Sequence, residues 1–417
     1  MSKVSNEPVR DDLRDLQRWA DQVAPTDRLE LDFTDTRIAF EAKSDAELGK
    51  AIWLFRLMNQ PVLVDLGSKL GLLALKLHLP FTKRAIRATI FEQFCGGATL
   101  LETQRTVDQL GQYRVATILD YGAEAKETEA DLDVTRQEIE KAIQFAAHND
   151  HVPVVSAKVS GLAPNALLEA VQRGDRLDAE QTRRWTRVNE RLHALCETAR
   201  TARVGVFFDA EESWIQDAID ELVEGLMARY NREEVIVYTT CQLYRHDRLA
   251  YLKAAHQRAL EGGYLFGVKI VRGAYMDKER ERAAEGGYPS PIQPDRAATD
   301  RDFNAAVRYL VEHYETIASC NASHNVDSNR LQAELIHAAG IPKQHKHLNF
   351  CQLYGMSDHI TFNLAAAGYN VAKYVPYGPV REVVPYLIRR AEENSSVTGD
   401  MSRELKLLVE ERARRGA

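Results

Sequence analysis

Tyr113-Arg-Val-Ala-Thr-Ile-Leu119 runs straight into Asp120-Tyr-Gly-Ala-Glu124, and the residues after the apolar run decide the fold. A doubly wound sheet is expected to carry a G-x-G-x-x-G turn after its first strand, so that backbone can approach a pyrophosphate; this turn holds one glycine between acidic residues. Further apolar, β-branched runs follow at Val154–Ser160, Val204–Asp209, Val235–Gln242, Phe266–Val271, Ala318–Ser323, Lys346–Cys351 and Tyr369–Val375. They alternate with stretches of helical period such as Ala179–Ala202, Ser213–Tyr230 and Arg301–Thr316, the texture of βα units on a parallel sheet. Eight such units in about 290 residues predict an α/β fold, a closed (βα)8 TIM-like barrel.

Upstream, to about Gln112, the pattern is helical. Ser44-Asp-Ala-Glu47 reads as a capping box before Leu48, Ile52 and Phe55, and leucines recur at Leu70, Leu73 and Leu77. Ala51–Phe81 is the most apolar stretch, but Arg56, Asp65, Lys69 and Lys76 interrupt it and Pro61 and Pro80 break it, which rules out a spanning helix there. Two readings stay open: these leucines rest on a membrane surface with Lys76, Lys83, Arg84 and Arg87 beside them, or they pack on a neighbouring domain. The chain thus divides into a helical region 1–112, a barrel 113–400 and a helical tail 401–417.

Among 417 residues, 54 Lys and Arg stand against 61 Asp and Glu, a net charge of -7 without basic bands, so no nucleic-acid partner is expected. Cys95, Cys196, Cys241, Cys320 and Cys351 are dispersed and lack C-x-x-C spacing, which argues against a disulfide framework or a zinc site and for a reducing compartment. Met1–Asp12 has neither the apolar core of a secretion signal nor the Arg-rich character of a transit peptide, so a cytoplasmic location is expected.

In a (βα)8 barrel the C-terminal strand ends face the active site. Here they present Asp120 and Glu124, Lys158, Asp209-Ala-Glu-Glu212, Gln242, Lys269-Ile-Val271-Arg272-Gly273-Ala274-Tyr275, Ser323-His324-Asn325, Leu353 and Tyr374. After the last strand, Tyr386, Arg389, Arg390 and Glu393 fall at i, i+3, i+4 and i+7 of a helix. Paired guanidinium forks on one face suit a small carboxylate; the same spacing also fits a solvated face with an Arg389–Glu393 pair. The absence of H-E-x-x-H and G-x-S-x-G argues against metal-assisted or serine hydrolysis. Gly273-Ala274 permits close approach of a flat ring whose polar edge Gln242, Lys269, His324 and Asn325 can reach, so a flavin fits, with Lys269 placed to stabilise negative charge on its reduced form.

Asp209-Ala-Glu-Glu212, Lys269-Ile-Val-Arg-Gly-Ala-Tyr275, Ser323-His-Asn325 and Tyr386-Leu-Ile-Arg-Arg390, in this order, resemble the motifs of the proline dehydrogenase family from about Gly111 to Asn394. The resemblance implies a distorted (βα)8 barrel that binds FAD non-covalently, oxidises L-proline to Δ1-pyrroline-5-carboxylate by hydride transfer from C5 to flavin N5, and passes electrons to a membrane quinone, with peripheral membrane association. It makes Lys158, Arg389 and Arg390 the carboxylate grip. Tyr275, Leu353, Tyr374 and Tyr386 then enclose the ring, with Asp209 hydrogen-bonding in the pocket. It assigns FAD to Gln242, Lys269, Val271, Gly273, Ala274, Ser323, His324 and Asn325, and makes Glu124 a gate that pairs with an active-site arginine. Asp120, Arg272 and Glu393 complete the candidate set. Two departures bear on the flavin's surroundings: Lys269 stands where some relatives have Arg, and Met276 where some have Trp. A chain ending at Ala417 leaves no room for the second enzyme domain of bifunctional relatives, and no DNA-binding segment precedes the barrel, so a monofunctional enzyme is expected. The alternatives are a hydroxyproline dehydrogenase and a non-catalytic ligand-binding barrel.

Overall fold

The structure of the protein is a computed structural model, which describes residues 31–60, 77, 82–122, 126–396 and 400–416. Ahead of the barrel lie α1 (Thr36–Phe40), α2 (Asp45–Met58), α3 (Thr82–Ile86), which continues through a π-helical turn Arg87–Phe91 into Glu92–Phe94, and α4 (Leu100–Gln112). The barrel then runs β1 (Ala116–Tyr121), α5 (Glu129–Ala146), β2 (Val154–Lys158), α6 (Asn165–Gln172), α7 (Ala179–Ala202), β3 (Gly205–Asp209), α8 (Ser213–Tyr230), β4 (Val237–Gln242) and α9 (Arg248–Gly262). It continues with β5 (Phe266–Val271), α10 (Met276–Gly286), α11 (Arg296–Glu312), β6 (Ile317–Ala322), α12 (Val326–Ala338), β7 (Leu348–Leu353), α13 (Asp358–Ala366) and β8 (Val371–Tyr377). Two helices finish the chain, α14 (Val380–Ser396) and α15 (Asp400–Arg415).

Each strand pairs in parallel with the next, and β1 closes on β8 with Ile118 opposite Tyr374 and Asp120 opposite Pro376. Closure explains the near-continuous apolar runs: both faces are buried, one by helices and one by the opposite wall, so alternation with polar residues is lost. The helix-facing side builds the main core from residues such as Leu119, Val155, Val206, Val237, Val268 and Ile317, all at or near zero exposure. Inside the barrel, Ile118, Phe207, Tyr238, Ala318, Cys320, Cys351, Ala372 and Tyr374 fill the lumen. All five cysteines are buried free thiols.

Ends shift where local geometry overrides composition. The first run starts as strand only at Ala116 because Arg114 sits at φ 59° and, with Val115, closes α4 through hydrogen bonds to Gly111 and Leu110 carbonyls. The helix read as Arg301–Thr316 begins earlier, at Arg296, where the Asp295 carboxylate caps Ala298 N–H at 2.7 Å.

The capping box at Ser44 and Glu47 is present, and Leu48, Ile52 and Phe55 are buried behind it. They pack with Phe40, Val383, Leu387, Leu407 and Leu408, so α2, α14 and α15 share one apolar core, each side chain contributing about 1.5–3 kcal/mol on burial. Leu70 and Leu73 lie outside the described residues; Leu77 is 61 % exposed. Among the described residues no helix is long and apolar enough to cross a membrane. With one flank of α14 in this core, its other flank is left facing the C-terminal strand ends.

Candidate active site

A cavity of about 260 Å³ opens at the C-terminal ends of the strands. It gathers Asp120, Lys158, Asp209, Gln242, Lys269, Val271, Arg272, Gly273, Ala274, Tyr275, Ser323, His324, Asn325, Leu353 and Tyr374 from the strand ends, and Tyr386, Arg389 and Arg390 from α14. Glu124 lies outside the described residues, as does the side chain of Glu393. The walls also include Thr240, an inward position on β4 in step with Tyr238 and Gln242, Gln352, whose side chain bonds Thr361 and Asn329 on the helix side of β7, and Arg296, which enters from the first turn of α11 with no periodic signal to mark it.

The floor is a buried charge network. Asp209 Oδ2 accepts from the Tyr374 hydroxyl at 2.6 Å, Oδ1 accepts from Ser156 Oγ at 2.8 Å, and Lys269 Nζ also donates to Oδ1. Lys158 Nζ lies 3.7 Å from Asp209 Oδ2 and 3.9 Å from Asp120 Oδ2. Burial alone would raise the Asp209 pKa, but Lys269 and Lys158 outweigh it and hold the carboxyl below its usual range. Burial pushes Asp120 up, Lys158 only partly offsets this, and the Asp209 charge adds to it. Among the lining residues six cations (Lys158, Lys269, Arg272, Arg296, Arg389, Arg390) face two carboxylates (Asp120, Asp209), so the cavity favours an anionic ligand. Asp209 thus acts inside the barrel and is not a helix cap; α8 begins after Glu212.

Along the opposite wall, side chains lock the backbone. Gln242 Nε2 donates to Glu211 O at 2.8 Å while its Oε1 accepts from Ala274 N–H at 3.2 Å, which fixes the Gly273-Ala274 turn. Gly273 has φ 149°, and a Cβ there would stand 2.4 Å from the Tyr244 ring. Arg272 donates to Ser323 Oγ at 2.7 Å and to Asp300 Oδ1 at 2.6 and 2.8 Å, over the Phe303 ring. Asn325 caps α12 through Ser328 N–H at 2.9 Å. His324 Nδ1 pairs with Ser357 Oγ at 2.8 Å, and burial, then the Lys373 and Arg390 charges, push its pKa down to about 3, so the ring is neutral. Arg389 and Arg390 lie over Tyr275 and Tyr386 at 6.0 and 5.3 Å from the ring centroids.

The residues fit a flavin. Gly273, packed on the Tyr244 ring, joins Val271 and Ala274 in a stretch of cavity wall with little side-chain bulk against which a flat ring can lie, and buried Thr240 Oγ1 has no hydrogen-bond partner among the described residues.

The family described as "Proline dehydrogenase" matches residues 103–403 of the chain. The chain is 35 % identical over 352 residues to "Carbapenem antibiotics biosynthesis protein CarD" of Pectobacterium carotovorum subsp. carotovorum, covering 84 % of this chain and 91 % of that protein. It is 32 % identical to "Hydroxyproline dehydrogenase" of Bos taurus, over 90 % of this chain and 92 % of that protein. To "Proline dehydrogenase 2, mitochondrial" of Arabidopsis thaliana it is 28 % identical, over 91 % and 90 %. Among solved structures, proline utilization A (PutA) from Bdellovibrio bacteriovorus, inactivated by N-propargylglycine, superposes with TM-score 0.68 at 21 % identity, covering 95 % of this chain and 42 % of that chain. The chain therefore spans less than half of that much longer protein, and at this identity the likeness shows the fold alone.

Proposed function

The chain belongs to the proline dehydrogenase family of flavin-dependent oxidoreductases, and we propose that its own reaction is oxidation of L-proline to Δ1-pyrroline-5-carboxylate with FAD. The observation that carries this reading is a single cavity lined both by three cations, Lys158, Arg389 and Arg390, and by the rings of Tyr275, Tyr374 and Tyr386 with the apolar Leu353. A small cyclic amino acid presents both parts at once: a carboxylate for the cations and an apolar ring for the aromatic walls.

In this reading Arg389 and Arg390 take the carboxylate with paired forks of donors and Lys158 adds a third positive charge. Tyr374, held by Asp209, presses on the ring with Tyr275, Tyr386 and Leu353, excludes water and fixes the reacting carbon in one orientation. FAD, when bound, supplies the acceptor for the hydride that leaves C5. Gly273, Ala274 and Val271 would line its ring, with Gln242 holding that turn, and Lys269, Ser323, His324 and Asn325 would complete the site. Only a neutral amine can expel hydride. The three cations around the carboxylate also disfavour a charged amine, so the proton passes to water as the substrate binds. Glu124 is proposed as the gate. A membrane quinone is the proposed final electron acceptor, reached by peripheral association.

Purified protein carrying flavin absorbance should bleach when L-proline is added without oxygen. Flavin that stays oxidised with L-proline overturns the reading. The kinship with hydroxyproline dehydrogenase of Bos taurus favours a second reading, 4-hydroxyproline as substrate, which the same experiment separates by rate.

A further inference from the structure

The turn between β7 and α13 carries cavity residue Leu353 at one end and Ser357 at the other, and it is held from parts of the chain distant in sequence. Gly355, at φ 79°, lies so close to the backbone before the barrel that a Cβ would stand 1.9 Å from Gln93 O, and its carbonyl accepts from Gln93 Nε2 at 2.7 Å. Lys373 Nζ reaches the Met356 and Leu353 carbonyls and Asp358 Oδ1. Ser357 itself has φ 51°, a left-handed conformation that a residue with a Cβ keeps only when its surroundings over-determine it. Its N–H donates to Glu404 Oε2 at 2.8 Å, and its hydroxyl meets His324 Nδ1 at 2.8 Å.

Glu404 is on α15, the last helix, and is 6 % exposed. An apolar side chain would be buried there at far lower cost, so the carboxylate is present for its polar partners, the Ser357 N–H and the buried His359, whose Nδ1 lies 3.5 Å from the same oxygen. With Nδ1 engaged by Ser357, His324 turns its remaining ring nitrogen, Nε2, to other partners, and the residue lines the cavity.

We propose that Glu404 is a positioning residue of the flavin site: it holds the Ser357 backbone so that the Ser357 hydroxyl fixes the orientation of the His324 ring against the cofactor. The last helix is then part of the cofactor site although none of its described side chains lines the cavity. This rests on the reading that His324 contacts flavin.

The test is titration of full-length apoprotein with FAD, following flavin fluorescence and the visible spectrum, in Glu404→Ala, Glu404→Gln, Ser357→Gly and His324→Ala. Glu404→Ala and Ser357→Gly should each weaken FAD binding by about 3- to 10-fold, the size of one lost hydrogen bond, and shift the absorbance of bound flavin. Glu404→Gln keeps an accepting oxygen and should restore binding close to wild type. Glycine adopts φ 51° without strain, so Ser357→Gly keeps the fold and loses only the hydroxyl; it decides the matter if Glu404→Ala does not fold. Unchanged affinity and spectrum in Ser357→Gly, or equal damage from Glu404→Gln and Glu404→Ala, overturns the relay. If His324→Ala binds FAD as wild type does, the flavin-site reading itself falls; if His324→Ala weakens FAD while Ser357→Gly does not, only the relay falls.

Discussion

The Tyr374 hydroxyl donates to Asp209 Oδ2 across 2.6 Å while Lys269 holds the other carboxylate oxygen, so the phenol of β8 is pinned from β3 and β5 at once. A ring fixed in this way cannot swing aside for a substituent on the substrate. We expect L-proline to be preferred over 4-hydroxyproline by bulk, which discriminates by about 10- to 200-fold in kcat/KM. Tyr374→Ser should narrow that ratio, mainly through lost proline activity. Tyr374→Phe keeps the ring but frees it from Asp209, so its preference should fall between those of wild type and Tyr374→Ser. Steady-state kinetics on both substrates checks this; equal loss on both in Tyr374→Ser, with FAD bound, refutes it.

The arginine pair gives a second prediction. Arg389→Met or Arg390→Met should remove one charge-assisted contact to a desolvated carboxylate, a loss of about 2–4 kcal/mol or roughly 30- to 1000-fold in kcat/KM. The loss should appear chiefly in KM, with flavin content unchanged. Wild-type kinetics in both variants would mean that neither guanidinium holds the substrate carboxylate.

Much of this site is legible in the order of residues alone. Eight apolar runs identify the strands because closed parallel sheets bury both faces, and barrel geometry then sends strand-end side chains to one place. What stays hidden depends on contacts between distant segments. That Lys269 bonds Asp209 follows from β3 and β5, the two neighbours of β4, sending inward side chains into the same layer of the lumen, and that Gln242 spends its amide on Glu211 O and Ala274 N–H follows from one loop lying over another. Neither has a local pattern. Arg296 and Glu404 come from helices whose own period says nothing of a strand end tens of residues away. Strand limits drift by about two residues because β-branched residues also occur in the tight turns before strands, as at Arg114-Val115.

Glu211 makes stability pH-dependent in a stated direction. Burial raises its pKa from 4.5 to about 7, and the hydrogen bond from Ser160 N–H at 2.9 Å only partly offsets this. The folded state therefore keeps a proton that the unfolded chain has released, and stability falls with rising pH between about 4.5 and about 7. The contribution is fully present below that window and lost above it. Glu211→Gln retains an acceptor for Ser160 without the titration, so its Tm should fall less across the window than wild type's. Parallel Tm profiles for the two proteins would rule Glu211 out as the cause.

Gly273 gives the sharpest test of the wall proposed to hold the flavin, because two separate penalties meet there. The backbone has φ 149°, a region open essentially to glycine, and a Cβ would lie 2.4–2.5 Å from Tyr244 ring carbons. Backbone strain of this kind costs about 1–3 kcal/mol whatever the neighbours do. Gly273→Ala should thus lower Tm and weaken FAD binding, since the turn held by Gln242 Oε1 must move. Adding Tyr244→Ala removes the clash but leaves the φ requirement and opens a cavity where a buried ring had been. The double variant is therefore expected to recover neither Tm nor FAD affinity. Recovery of FAD affinity in the double variant would mean that the ring contact alone sets the shape of this wall, and that the conformation at Gly273 is incidental to the cofactor.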